Sequence, residues 1–224
     1  MIKAVIFDLD DTLYDYVSCN ERATEDLCNY ACDNYSMDRN TFLDFYERAQ
    51  KLVKQQLGGV GSAHNRLLYL QRFLEEIGMH PAKGALQMYD VYWDRMLEEM
   101  ELYPYVIRIM KYLRQNGIIV AVLTDLTAHI QHRKLNKLGL ADYVDVLVTS
   151  EEAGEDKPSM VVFKLMVEKL GLDGSEMLMI GDSKVKDIDG AAKVGIPGLL
   201  FDKQHACDMD KVIMEYIDEQ KHSV

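Results

Sequence analysis

The chain is short of positive charge, short of cysteine, and without any long apolar run. Its 224 residues carry 25 Lys and Arg against 37 Asp and Glu, a formal net charge of -12. Nucleic acid needs a basic patch against its phosphates, so the expectation is no nucleic-acid partner. An anionic ligand would need a local positive centre, either a metal or a lysine. No apolar stretch approaches the roughly 20 residues that cross a bilayer, so no membrane partner is expected. Met1-Ile2-Lys3 runs straight into a strand pattern without the layout of a signal peptide, and a cytoplasmic location is expected. The four cysteines are Cys19, Cys28, Cys32 and Cys207. Cys28 and Cys32 share a helix face, but no further ligands follow at zinc spacing, so free thiols are expected. Internal repeats and low-complexity tracts are also missing.

What is present is the composition of an ordinary globular protein, 48% hydrophobic and 28% charged. The length suits one large domain or two small ones. Five short apolar runs read as strands: 3–8, 118–124, 143–149, 176–181 and 198–201. Helical patterns separate the later ones, over 104–115, from Thr127 to Leu138, from Ser159 to Leu170, over 187–194 and near 209–220. Gly117, Gly139 and Gly171 stand as stops. Strands alternating with helices predict right-handed crossovers, a mostly parallel sheet and a three-layer α/β domain.

Residues 16–100 break the alternation and read as helices only. Phe42, Phe45, Ala49, Leu52 and Val53 form one apolar stripe. Leu67, Leu70, Leu74 and Ile77 form a second, and Met88, Tyr92, Met96 and Met100 a third. The predicted organisation is an α/β core from 1–15 and 101–224, with an all-helical insertion at 16–100.

The first strand ends in two carboxylates spaced two apart, Asp8 and Asp10. Alone they could mark an acidic surface turn. Carboxylates this close repel, and a cation or shared proton offsets the repulsion. In a parallel sheet, ligands bind beyond the carboxyl ends of the strands, so chemistry should cluster there. It does. The second strand ends in Thr124-Asp125 and the fourth in Gly181-Asp182-Ser183, with Asp187 close behind. Lys157-Pro158 lies before the helix that precedes the fourth strand.

In order and placement these segments resemble the haloacid dehalogenase superfamily. Ile6-Phe-Asp-Leu-Asp-Asp-Thr12 is similar to its first motif, Thr124 to the second, Lys157-Pro158 to the third, and Gly181-Asp-Ser-Lys-Val-Lys-Asp187 to the fourth. The resemblance spans nearly the whole chain. It implies a Rossmann-like core, and the insertion resembles the helical cap of the family's first type. It also implies a Mg²⁺ held by Asp8, the Asp10 backbone carbonyl and Asp182, with Asp187 in support. Asp8 would be the nucleophile and Asp10 the general acid and base. Lys157 would offset negative charge, and Thr124 would donate to the phosphoryl group. Asp125, where many relatives carry Asn, is counted with Thr124, Lys157 and Arg66 among the candidate substrate-binding residues. A carboxylate there must turn from a phosphate, for instance to cap the following helix.

The dehalogenases of the superfamily lack an acid at the position of Asp10. Its presence with Asp182 and Asp187 points instead to phosphoryl transfer. The expected activity is a Mg²⁺-dependent phosphatase for a small phosphorylated metabolite, acting through an aspartyl-phosphate. The alternative is a phosphomutase resembling β-phosphoglucomutase, which inorganic phosphate release would distinguish. Receiver domains also combine acids, Thr and Lys, but are about half this length. In the insertion, Arg66 beside His64 is the candidate for an anionic part of the substrate. A monomer or homodimer is expected.

Overall fold

The structure is a computed structural model that describes residues 1–222. The chain divides into two compact units, 16–100 and the combination of 1–15 with 101–224.

The first of these is all helix: α1 (Tyr16–Tyr35), α2 (Arg39–Leu57), α3 (Arg66–Glu76) and α4 (Pro81–Glu99). Local chemistry sets the ends. The Asp38 side chain accepts from Thr41 N at 3.0 Å and caps α2. Gly58, at φ 73°, stops it. Asn65 caps α3 by accepting from Leu67 N at 2.9 Å, and Pro81 occupies the start of α4. The predicted third stripe is buried throughout, but the first two are rotated. On α2 the buried residues are Phe42, Tyr46, Ala49 and Val53. Phe45 instead lies beneath the Arg48 guanidinium, 4.8 Å from the ring centroid. On α3 the buried set is Tyr69, Leu70, Phe73 and Leu74. Aromatic packing decides the rotation, because Phe42 meets Phe73 edge-on at 5.4 Å and stacks on Tyr46 at 5.3 Å.

The second unit is α/β. After β1 (Ala4–Phe7) and the inserted helices come α5 (Val106–Gln115), β2 (Ile119–Thr124), α6 (Ala128–Lys137), β3 (Val146–Thr149), α7 (Ser150–Ala153) and α8 (Met160–Leu170). Then follow β4 (Met177–Gly181), α9 (Asp189–Ala192), β5 (Gly198–Leu200) and α10 (Met209–His222). The strands form one sheet ordered β3-β2-β1-β4-β5, with every pairing parallel. The chain builds outward from β1 to β3, then reverses to the other side for β4 and β5. A crevice opens at such a reversal, beyond the carboxyl ends of the strands.

β1 is buried on both faces, which is why its sequence is a continuous apolar run rather than an alternating one. Ala4 and Ile6 join Ala121, Leu123, Met177 and Met179 in a core with Val162, Phe163 and Met166 of α8. α5 packs on β2 and on α10. Register aligns Phe7, the last residue of β1, with both Val122 and Ile180, so β2 and β4 run on past it to Thr124 and Gly181. One element differs from its prediction. The helix expected from Asp187 begins at Lys184 as a wide π-type turn and passes into α9. The wide turn is the bond from Ile188 N to Ser183 O at 3.4 Å, and the Ser183 side chain caps its start by accepting from Lys186 N at 3.2 Å.

Phe163 is fully buried at the centre of the α8 contact with the sheet. Phe163→Ala should lower stability by about 3–5 kcal/mol through lost burial and a cavity. Urea unfolding followed by circular dichroism measures it, and a loss under about 1 kcal/mol would show that α8 is not held there.

Candidate active site

Asp8 is the first residue past β1, fixed by its N–H donating to Ile180 O at 2.8 Å. Its carboxylate is buried and sits 2.7 Å from Lys157 Nζ. The same ammonium lies 2.7 Å from Asp187 Oδ1 and donates to Leu123 O at 3.2 Å. All three protons of Lys157 are thereby matched to acceptors. Burial works against its charge, but Asp8, Asp187 and Asp125 outweigh that and hold the ammonium above the ordinary lysine range. For Asp8 the balance goes the other way. Burial pushes its carboxyl well above the usual value, Lys157 opposes this, and Asp187 and Asp10 add to it.

Asp182 and Asp187 complete the cluster. Oxygens of Asp8, Asp182 and Asp187 all lie within 4.8 Å of one another. Asp187 is wholly buried and also accepts from Ser183 N at 3.0 Å. Asp182 is the exposed member. Partial desolvation of its carboxyl first, and Asp187 second, raise it above the usual value. Ionised, three carboxylates against one ammonium leave two negative charges. That donor set, all hard oxygens, fits a divalent cation such as Mg²⁺. Gly181 makes the cluster possible: a Cβ there would lie 2.3 Å from Asp187 Oδ2. Thr12 ties the first loop to the fourth strand, its Oγ1 accepting from Asp182 N at 3.1 Å.

Asp10 lies apart from this cluster among the described residues. Its carboxylate meets Lys134 Nζ at 2.7 and 2.8 Å and accepts from Tyr14 Oη at 2.6 Å. Thr124 is buried at the end of β2, and its hydroxyl accepts from Gln131 Nε2 at 2.6 Å. The same Gln131 amide donates to Asp125 O at 2.7 Å, which fixes its orientation. Asp125 turns both oxygens to protein partners: Oδ1 accepts from Lys157 N at 2.9 Å and Oδ2 pairs with Lys186 Nζ at 2.9 Å. It does not cap α6. Thr127 takes the N-cap position there but makes no side-chain cap bond.

Gln131 and Lys134 escaped the sequence reading. Both are fully buried on α6 beside Ile130 and Leu135. The available signal was polar residues three apart on the face that the apolar residues mark as inward.

In the helical unit, Arg66 opens α3. Its guanidinium donates to His64 O at 3.0 Å and bonds Tyr16 Oη. It lies 5.6 Å from the Tyr69 ring centroid and 5.5 Å from that of Tyr92. It lines a cavity of about 500 Å³ with Tyr16, Asn20, Tyr46, Gln50 and Lys54 among others.

Residues 2–195 match the haloacid dehalogenase-like hydrolase family. A ribulose-1,5-bisphosphate 5-phosphatase of Halopiger xanaduensis is 41% identical over 93% of this chain and 88% of its own. A glyceraldehyde 3-phosphate phosphatase of Methanopyrus kandleri is 32% identical over 88% of this chain and 82% of its own. Among solved structures, a 2-haloacid dehalogenase of Pseudomonas syringae shares the fold at TM-score 0.75 and 22% identity, covering 96% of this chain and all (100%) of that one. The chain therefore belongs to the haloacid dehalogenase-like hydrolases. It is a hydrolase of their phosphatase type, with Asp8, Asp182 and Asp187 matching the family's Mg²⁺ motif. No helix among the described residues is long and apolar enough to cross a membrane.

Gly181→Ala should force Asp187 from its place, cost about 1–3 kcal/mol, and raise the Mg²⁺ needed for half-maximal activity. A crystal structure of the variant with Asp187 unmoved would contradict the close-approach role given to Gly181.

Proposed function

We propose that this Mg²⁺-dependent phosphatase releases inorganic phosphate from a small sugar phosphate bearing a second anionic group, by way of a phosphorylated Asp8. The buried Asp8–Lys157 pair beside Asp182 and Asp187 carries the covalent part of this reading. A carboxylate held at a strand end, with cations to offset its charge, can attack phosphorus.

An Asp8 oxygen forms a bond to phosphorus as the ester P–O bond breaks. The leaving oxygen takes the bonding pair and a proton from Asp10, giving the free alcohol. Water then attacks the aspartyl-phosphate and passes a proton to Asp10. The P–O bond to Asp8 breaks, and the carboxylate and inorganic phosphate are restored. Lys157 neutralises charge on Asp8 throughout, and Thr124 donates to a phosphoryl oxygen. Mg²⁺, when bound by the aspartates, supplies the charge neutralisation that lets one anion approach another.

The substrate part draws on the relatives and on Arg66. The relatives named above act on a sugar bisphosphate and a triose phosphate, and a phosphoglycolate phosphatase of Neisseria gonorrhoeae is 29% identical. The Arg66 guanidinium, on a cavity wall rich in tyrosine, suits a second phosphate or a carboxylate.

A panel of sugar bisphosphates, phosphoglycolate and sugar monophosphates tests this by phosphate release with Mg²⁺ and with EDTA. Substrates with two anionic groups should have the highest kcat/KM, and EDTA should abolish release. A preference for monophosphates would overturn the substrate assignment, and undiminished release in EDTA the metal. Asp8→Asn should reduce turnover roughly a thousandfold or more; near-normal rates would refute the covalent route. Arg66→Ala should raise KM about tenfold to a hundredfold for substrates with two anionic groups, leaving Mg²⁺ half-saturation unchanged. An unaltered substrate profile would remove Arg66 from specificity.

A further inference from the structure

Helix α6 buries four side chains, Ile130, Gln131, Lys134 and Leu135. A lysine on such a face is costly, because its ammonium leaves water. A leucine or methionine would anchor the helix more cheaply. Lys134 is nonetheless fully buried, and its Nζ reaches both oxygens of Asp10, at 2.7 and 2.8 Å. Tyr14, also fully buried, adds its hydroxyl to Asp10 Oδ1 at 2.6 Å and places its ring 5.8 Å from the ammonium. Of the two charged partners Asp10 is the one exposed to solvent, with its side chain 21% accessible against 0% for Lys134. The loop after β1 thus presents two aspartates, each clamped by its own buried lysine from a different element: Asp8 by Lys157 and Asp10 by Lys134.

We propose that Lys134, assisted by Tyr14, is a positioning residue for Asp10 and through it governs proton delivery to the leaving oxygen. The proposal rests on the reading of Asp10 as the acid–base group. A carboxyl that must give a proton and then take one works only if its direction is fixed. Lys134 sets that direction from a place water cannot reach, so nothing in solvent replaces it. The substrate is not touched by Lys134, and the proton itself moves between Asp10 and the leaving oxygen.

The test compares an alkyl phosphate with p-nitrophenyl phosphate. The alkoxide needs a proton to leave, whereas the nitrophenolate does not. Lys134→Met keeps length and removes the charge. Its kcat/KM for the alkyl phosphate should fall about tenfold or more, and for p-nitrophenyl phosphate less than about threefold. Mg²⁺ half-saturation should stay unchanged, because the Lys134 ammonium pairs with the Asp10 side chain, whereas the metal would be held by the carboxylates of Asp8, Asp182 and Asp187. Added to Asp10→Asn, Lys134→Met should cause no further loss. Equal losses on both substrates, or losses that multiply with Asp10→Asn, would mean that Lys134 only holds the fold and would overturn the proposal. Tyr14→Phe removes one donor to the same carboxylate without touching charge, so it serves if Lys134→Met fails to fold. It should show the same bias at smaller amplitude, and equal losses on both substrates would again overturn the proposal. Asp10→Asn alone separates the two levels. If it shows no dependence on the leaving group, Asp10 is not the acid and both readings fall. If it shows that dependence and Lys134→Met does not, only the Lys134 proposal falls.

Discussion

One buried ammonium, that of Lys157, holds the site together. It stands 2.7 Å from Asp8 and 2.7 Å from Asp187, two carboxylates that would otherwise repel each other. Much of the α/β unit serves to make that meeting possible. The strand order places β1 between β2 and β4, so that Asp8 emerges beside Leu123 O, which takes the third Lys157 proton. The missing side chain of Gly181 gives Asp187 its room. The Asp125 carboxylate holds the Lys157 backbone in place at 2.9 Å. Removing any of these would leave a buried charge without its partner, which costs far more than the pair contributes when intact.

The same balance explains why the site calls for a metal. Burial raises the carboxyls of both Asp8 and Asp182, and Lys157 opposes this only in part. A divalent cation held by Asp8, Asp182 and Asp187 would supply the missing positive charge and favour the ionised form of Asp8. In a chain of net charge -12, attraction for a phosphate ester has to come from such local centres. In the helical unit, the Arg66 guanidinium proposed above for a second anionic group is set against the rings of Tyr69 and Tyr92.

Much of this was legible in the sequence because it rests on local signals. The continuous apolar run of β1 announced a strand buried on both faces, and the acids after it, Thr124 and Asp182 fell at strand ends as a parallel sheet requires, with Lys157 in the loop before α8. What was not legible depended on tertiary packing. The stripe on α2 includes Tyr46 in place of Phe45, with Tyr46 stacked on Phe42 and Phe42 edge-on to Phe73 of α3. The turn after Ser183 is closed by a bond from Ile188 N back to Ser183 O, a spacing that no local residue pattern announces. Asp125 had to turn from a phosphate, but that its partners would be the Lys157 backbone and Lys186 follows only from the loops being brought together. Gln131 and Lys134 were invisible for a related reason. A polar residue on a helix reads as surface until the helix face is known to look into a site.

The covalent route through Asp8 is tested most directly by catching it. The enzyme is mixed with substrate and Mg²⁺, quenched in acid within a single turnover, and digested for mass spectrometry. The peptide containing Asp8 should carry one added phosphoryl group, which hydroxylamine removes and which is absent without Mg²⁺. Phosphate released in full while that peptide stays unmodified at every quench time, in a digest that recovers it quantitatively, would mean that water attacks phosphorus directly and that Asp8 is not the nucleophile.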